Sequence, residues 1–195
     1  AGQVLVRVAA AAVNNTDINT RIGWYSKSVA TATADAVAQA ASEATDGGWA
    51  GNPFIFPRIQ GTDVCGRIVA VGAGAAAARI GQRVIVDPVL RPADGSLADA
   101  GYIGLERDGG FAEFATVPAN NAAIIESALT DVELASFPCA YGTAENLLTR
   151  AEVAQGETVL VTGASGGVGS AVVQLARLRG ARVIAVTTPD KAPDV

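Results

Sequence analysis

One segment restricts the fold more than any other. Glu157-Thr158-Val159-Leu160-Val161-Thr162 is a short β-rich apolar run, and Gly163-Ala164-Ser165-Gly166-Gly167-Val168-Gly169 is a glycine-rich turn. A helical stretch through Arg179 then leads to a second apolar run over 182–186. Two such runs joined by one helix read as a βαβ unit. Its strands must run parallel, because the helix returns the chain to the edge where it began. Glycines at the opening of a helix let the backbone approach a pyrophosphate, whose charge the helix N-terminus favours. Aligned on G-x-G-x-x-G, Ala164 holds the first glycine place, and Gly166 and Gly169 hold the others. With Ser165, Gly167 and Val168 between them, they are the expected cradle of a dinucleotide.

The second run ends Ala185-Val186-Thr187-Thr188-Pro189-Asp190-Lys191. A site for NAD places a carboxylate about 20 residues beyond the glycines, where it accepts the ribose hydroxyls. Thr187 stands at that place, and a carboxylate there would repel a 2′-phosphate. Thr187 and Thr188 can donate to such a phosphate and Lys191 adds positive charge, so NADP is favoured. Asp190 is the dissenting residue.

The chain before this unit has another texture. Val4-Leu5-Val6-Arg7-Val8 reads as a strand, and a short helix through Asp17 and Arg21 follows, capped near Asn15 or Thr16. Further β-like runs at 66–71, 83–86 and 111–117, punctuated by Gly, Pro and Asp, suggest a small barrel-like all-β unit. The alanine-rich stretch over about 28–48 reads as a helical insertion that Asp46-Gly47-Gly48 would stop, since alanine has the best intrinsic helix propensity. The fold class expected is α/β with a β-rich domain: a barrel over 1–137, then the start of a doubly wound parallel sheet over 138–195. A complete doubly wound sheet has about six strands. Only two fit after residue 157, so the chain is expected to be part of a longer one. The absence of methionine from the sequence agrees with that expectation.

Composition narrows the chemistry. A net charge of −5 offers no basic stripe to neutralise phosphates, so nucleic acid is an unexpected partner. No apolar run reaches the ~18 to 20 residues that span a bilayer. Two cysteines are too few for a disulfide scaffold, which favours a reducing, cytoplasmic setting. The chain has no histidine, and therefore no Ser-His-Asp triad, imidazole base or imidazole metal ligand of its own.

Two family resemblances compete over these motifs. Thr162 through Gly169 is similar to the T-G-x-x-x-G-x-G signature of short-chain dehydrogenases. That family carries the signature near its N-terminus, with a Tyr-x-x-x-Lys pair far downstream, whereas here it occupies 162–169 of 195 residues. Val13-Asn14-Asn15-Thr16-Asp17-Ile18-Asn19-Thr20-Arg21-Ile22-Gly23-Trp24-Tyr25 instead resembles the N-x-x-D-x-x-x-R-x-G-x-Y segment of quinone oxidoreductases, in the medium-chain dehydrogenase/reductase superfamily. Gly61-Thr62-Asp63-Val64-Cys65-Gly66, Val69-Ala70-Val71-Gly72, Gly81-Gln82-Arg83-Val84, Gly109-Gly110-Phe111-Ala112-Glu113-Phe114 and Pro138-Cys139-Ala140-Tyr141-Gly142-Thr143-Ala144 follow in family order.

The resemblance implies a GroES-like barrel followed by a Rossmann domain, with chemistry in the cleft between them. It implies that Asn14 bonds the nicotinamide ribose or a substrate carbonyl, that Thr16 and Tyr25 can orient or protonate the substrate, and that Thr143 lies on the nicotinamide side. Asp17 and Arg21 are expected to pair beneath these groups. Zinc-dependent relatives carry a cysteine where Asn14 stands, a His-Glu pair where Thr62-Asp63 stands, and a third ligand at or near Cys139. With two of those ligand types lost, no metal is expected and Cys139 reads as a buried thiol. The expected reaction is hydride transfer from NADPH to a small-molecule quinone or α,β-unsaturated carbonyl, in a full-length homodimer. The alternatives are an enoyl-thioester reductase, a zinc-type alcohol dehydrogenase, and a non-enzymatic NADP-binding structural or regulatory protein.

Overall fold

A computed structural model describes residues 1–30, 46, 51, 53–92 and 100–195. The expected helical insertion over 28–48 falls, except for 28–30 and 46, outside the described residues. The chain forms two compact units, Ala1–Pro138 and Cys139–Val195.

The first unit is built on β1 (Gln3–Ala12), β2 (Asp63–Val71), β3 (Arg83–Val86), β6 (Phe114–Pro118) and β7 (Ala122–Ile124). They form one antiparallel sheet in the order β6-β1-β2-β3-β7. A separate pair, β4 (Val89–Leu90) and β5 (Gly101–Tyr102), lies between β3 and β6 in sequence. Side chains alternate across a strand, so Val4 and Val6 of β1 point inward together and meet Val64, Ile68, Val84, Val86, Ile103 and Val117 in an apolar core. Each such side chain contributes about 1.5–3 kcal/mol on full burial. Two short helices belong to this unit: α1 (Asn15–Arg21) leaves the end of β1, and α2 (Asp131–Ala135) packs Leu134 and Ala135 against Cys65.

Strand β1 runs on to Ala12 instead of ending at 8, and two further strands start elsewhere than the sequence suggests. Strand β2 begins at Asp63 rather than 66, because Ala12, Ala11 and Ala10 of β1 take Asp63, Val64 and Cys65 as partners. Strand β6 begins at Phe114 rather than 111, because the Phe111 amide donates to the Gln60 carbonyl (2.8 Å) and is drawn away from β1.

The second unit contains α3 (Pro138–Arg150), β8 (Thr158–Thr162), α4 (Gly167–Leu178) and β9 (Arg182–Val186). Strands β8 and β9 are parallel, in register from Thr158 opposite Arg182 to Thr162 opposite Val186. The expected βαβ unit is therefore present. Its core is made of small residues, with Ala144, Ala164, Ala171, Ala176 and Ala181 around Leu148, Val161 and Val172. Small side chains let the helices approach the strands closely.

Candidate functional site

Helix α1 starts one residue earlier than the sequence suggested. Asn14 is extended (φ −124°, ψ 160°) and is the N-cap; its side-chain oxygen accepts from the Thr16 amide. Its own amide donates to Asp17 Oδ2 at 2.9 Å, closing a capping box. The helix then buries Asp17, Asn19 and Thr20. Such a face is unusual, because a buried helix stripe is normally apolar.

Among the described residues the buried polar and charged side chains are Asp17, Asn19, Thr20, Ser26, Thr62 and Asp63. All six come from two segments, the one around α1 and the one entering β2. Hydrogen bonds tie the segments together. Asp17 Oδ1 accepts from the Gly61 amide (3.1 Å), Gln60 Nε2 donates to the Asp17 carbonyl (2.8 Å), and Asn14 Nδ2 donates to Asp63 Oδ2 (3.4 Å). The last contact orients the Asn14 amide: its nitrogen faces the carboxylate and its oxygen the Thr16 amide, which leaves one side-chain N–H without a partner among the described residues. Burial pushes the Asp17 carboxyl above its ordinary range, and the amides of Asn14, Gly61 and Thr62 pull it partly back.

The turn that carries Thr62 is held by close backbone contact. The amides of Gly109, Gly110 and Phe111 donate to the carbonyls of Ile59, Gly61 and Gln60 at 2.8–2.9 Å. Gly61 has φ +105°, and a Cβ there would stand 2.7 Å from the Phe111 amide nitrogen. The Gly109-Gly110 pair is thus required by packing around this turn: a Cβ on Gly109 would lie 2.4 Å from the Gly61 oxygen.

Thr62 itself is fully buried, and its hydroxyl has no partner among the described residues. An orphaned buried polar group costs about 1–3 kcal/mol. Thr62→Val, which keeps the shape and removes the hydroxyl, is therefore expected to raise the thermal midpoint by ~2–4 °C, corresponding to about 1 kcal/mol. An unchanged or lowered midpoint in a thermal melt would count against this reading of Thr62.

The expected Asp17–Arg21 pair is not formed. Arg21 is exposed and lies over the Phe56 ring, 5.8 Å from its centroid, while both carboxylate oxygens of Asp17 are taken by backbone amides. Thr16 sits half-buried in the first turn, its carbonyl accepting from the Thr20 hydroxyl (2.8 Å). Tyr25 lies past the helix, edge-on to Trp24 with ring centroids 5.6 Å apart. Cys65 is no nucleophile: burial, then the Asp131 carboxylate, push its thiol up to about 11. Cys139 is buried, and neither cysteine forms a disulfide.

The zinc implied by alcohol-dehydrogenase relatives does not fit this donor set. Catalytic zinc takes three protein ligands of thiolate, imidazole or carboxylate type. At the corresponding places the Asn14 amide is turned as a donor onto Asp63, and Thr62 offers only a hydroxyl. Among the described residues no group of three His, Cys, Asp or Glu could hold a metal ion.

The second unit carries the nucleotide candidates. Helix α4 has Gly166 as its N-cap and no side-chain cap, and a Cβ on Gly163 would meet nothing within 4 Å. The turn is therefore open above an uncapped helix N-terminus, which suits a pyrophosphate. Ala164 is buried in the core and its amide donates to the Val186 carbonyl (3.0 Å), so it shapes the turn instead of facing a ligand. Val168 packs its side chain on the same core, and Gly169 lies against the backbone of the turn: a Cβ there would lie 2.2 Å from the Gly163 oxygen. Ser165 and Thr187 come together, with hydroxyl oxygens 2.8 Å apart across the mouth of the turn. Thr188 and Lys191 are exposed, and the Thr188 hydroxyl holds the Asp190 carboxyl below its ordinary range. Thr143 is exposed on α3.

A sheet-built unit with a polar nest is thus followed by a βαβ unit with an open glycine turn. The alcohol dehydrogenase GroES-like domain family matches residues 1–127, and the chain belongs to it, within the medium-chain dehydrogenase/reductase superfamily. An acryloyl-coenzyme A reductase of Metallosphaera sedula is 36% identical over 152 residues, 72% of this chain and 45% of that protein. The chloroplastic NADPH-dependent alkenal/one oxidoreductase of Arabidopsis thaliana is 30% identical over 95% of this chain and 40% of that protein. A solved structure from Sinorhizobium meliloti 1021, provisionally named an alcohol dehydrogenase, is 50% identical with a TM-score of 0.83, over 100% of this chain and 51% of that one. The chain thus spans about half the length, or less, of the proteins it matches. Among the described residues no helix is long and apolar enough to cross a membrane.

The sequence singles out Asn14 and the glycine turn as candidates, but it does not show the Asn14–Asp63 bond or the burial of Asn19 and Thr62. One signal was available: Thr62-Asp63 is a polar pair at the mouth of an apolar strand, a place where polar side chains need a stated partner.

Proposed function

We propose that the chain belongs to an NADPH-dependent oxidoreductase that reduces a quinone or an α,β-unsaturated carbonyl without zinc. The observation that carries this reading is the Asn14 amide, oriented by Asp63 and Thr16 with one N–H left over, at the place where zinc-dependent relatives have a metal ligand. The names of an alkenal/one oxidoreductase and an acryloyl-coenzyme A reductase among its relatives support an activated alkene as acceptor.

When bound, the dinucleotide supplies a hydride. The chain's own residues position and polarise. The amides at the start of α4 and the Gly166-Gly167 turn hold the pyrophosphate, and Ser165, Thr187 and Lys191 hold a 2′-phosphate. Asn14 Nδ2 donates to an acceptor's carbonyl oxygen, drawing electrons from the alkene or quinone. The Thr16 hydroxyl, or Tyr25, hands on the proton that completes reduction. Two buried cysteines that form no disulfide are compatible with a reducing, cytoplasmic setting.

The test is direct. NADPH oxidation is followed with a simple quinone, an enone and an enoyl thioester, and NADP reduction with a primary alcohol, each before and after chelation. Turnover of one of the first three, insensitive to chelator, is expected. Alcohol oxidation abolished by chelator would overturn the reading in favour of a zinc enzyme; NADPH binding without any turnover would favour a binding protein. Calorimetry should also show NADPH bound at least tenfold more tightly than NADH, or about 1.4 kcal/mol. Charge-assisted contacts of Lys191 with the 2′-phosphate supply that margin. Thr187→Asp with Lys191→Ala should reverse the preference, and equal affinities before and after the change would place specificity elsewhere.

A further inference from the structure

We infer that Asp17 is the positioning residue of this site, setting the Asn14 amide through a closed hydrogen-bond circuit while itself remaining out of reach of substrate. The inference rests on the assignment of Asn14 made above and extends it to a group with no contact role.

The circuit can be traced atom by atom. Asp17 Oδ2 accepts from the Asn14 amide at 2.9 Å and Oδ1 from the Gly61 amide at 3.1 Å. Gln60 Nε2 adds a third tie, to the Asp17 carbonyl, at 2.8 Å. Thr62 and Asp63 follow Gly61 directly, and Asp63 Oδ2 receives Asn14 Nδ2, which closes the ring. Two segments 44 residues apart are thereby locked at the two points that decide where the Asn14 amide lies.

Among the described residues nothing cationic pairs with this carboxylate, and Arg21 lies over Phe56. A charge only 4% exposed, with no counter-ion among the described residues, is costly, and is kept where several donors point at it. Both oxygens act as acceptors, and that is what an amide cannot reproduce. Asparagine at 17 would present an NH2 group to one of the two backbone N–H groups, breaking either the helix cap or the tie to Gly61. Small displacements of a positioning group are amplified in rate, because reacting atoms need near-contact geometry.

The experiment is a double-mutant cycle on the full chain with Asp17→Asn and Asn14→Ala, using whichever acceptor the panel above turns over fastest. Circular dichroism and thermal melts check that each variant is folded. Asp17→Asn is expected to lower kcat/KM about tenfold, with no further loss when added to Asn14→Ala, as groups acting through one another are non-additive. Losses that multiply would overturn the inference and leave the role of Asn14 standing. Unchanged turnover in Asn14→Ala would instead overturn the site assignment and the inference with it.

A readout independent of turnover is the Asn14 side-chain amide in a 15N NMR spectrum. Asp17→Asn should shift it and speed its exchange with water, and an unmoved resonance would overturn the proposal. Should Asp17→Asn fail to fold, Gln60→Ala removes a tie between the same segments without touching a buried charge, and goes through the same cycle and the same spectrum.

Discussion

Gly61→Ala should lower stability by at least about 3 kcal/mol, seen as a fall of ~6–12 °C in the thermal midpoint. Two effects add at this position. Its φ of +105° is one that residues with a Cβ rarely adopt, and holding one there costs about 1–3 kcal/mol. The new Cβ would also stand 2.7 Å from both the Phe111 amide nitrogen and its Cδ1, and 3.0 Å from the Gly110 nitrogen. The ring could turn aside; the backbone could not without breaking the bonds from Gly109, Gly110 and Phe111 to residues 59–61. Because the Gly61 amide also donates to Asp17, the polar nest should loosen with it. A melt within ~2 °C of wild type would show that this turn is less constrained than its geometry indicates.

Gly169→Ala should weaken dinucleotide binding at least a hundredfold, or about 2.7 kcal/mol. A Cβ there would lie 2.2 Å from the Gly163 oxygen and 2.9 Å from the Ala164 Cα, both backbone atoms of the turn itself. The only relief is for α4 to move off β8, which carries the helix N-terminus away from the place where phosphate charge is stabilised. Gly142→Ala in α3 is the matched control. Its Cβ would meet nothing within 4 Å, and removing a mid-helix glycine should be neutral or stabilising by about 0.5–1 kcal/mol. Titration of each variant with NADPH decides the matter: equal affinity of Gly169→Ala and wild type would remove the glycine turn from the nucleotide site.

Much of the scaffold was legible before any coordinates. The run Thr158–Thr162, the glycine turn and the run Arg182–Val186 became a parallel pair with a helix between them, and the β-rich stretches before 138 became one antiparallel sheet. The helix cap was misplaced by a residue because Asn14, Asn15 and Thr16 are all competent caps. Backbone geometry at the end of β1 selects among them. Strand ends were also missed, since Asp63 joins β2 only by virtue of the alanines opposite it.

What the sequence alone determined is whatever depends on near neighbours. Period-2 alternation, the helical run through Arg179 and the glycines at 163–169 are local requirements of sterics and burial, and they can be read within a dozen residues. What only the tertiary structure decided is who faces whom across long loops. Asn14 bonds Asp63 49 residues away, Asp17 takes the Gly61 amide in place of the arginine four positions along, and Arg21 goes to Phe56. A side chain has several chemically adequate partners. The choice falls to whichever segment the fold returns to it with the right donor at hydrogen-bond distance, and no local spacing encodes that return.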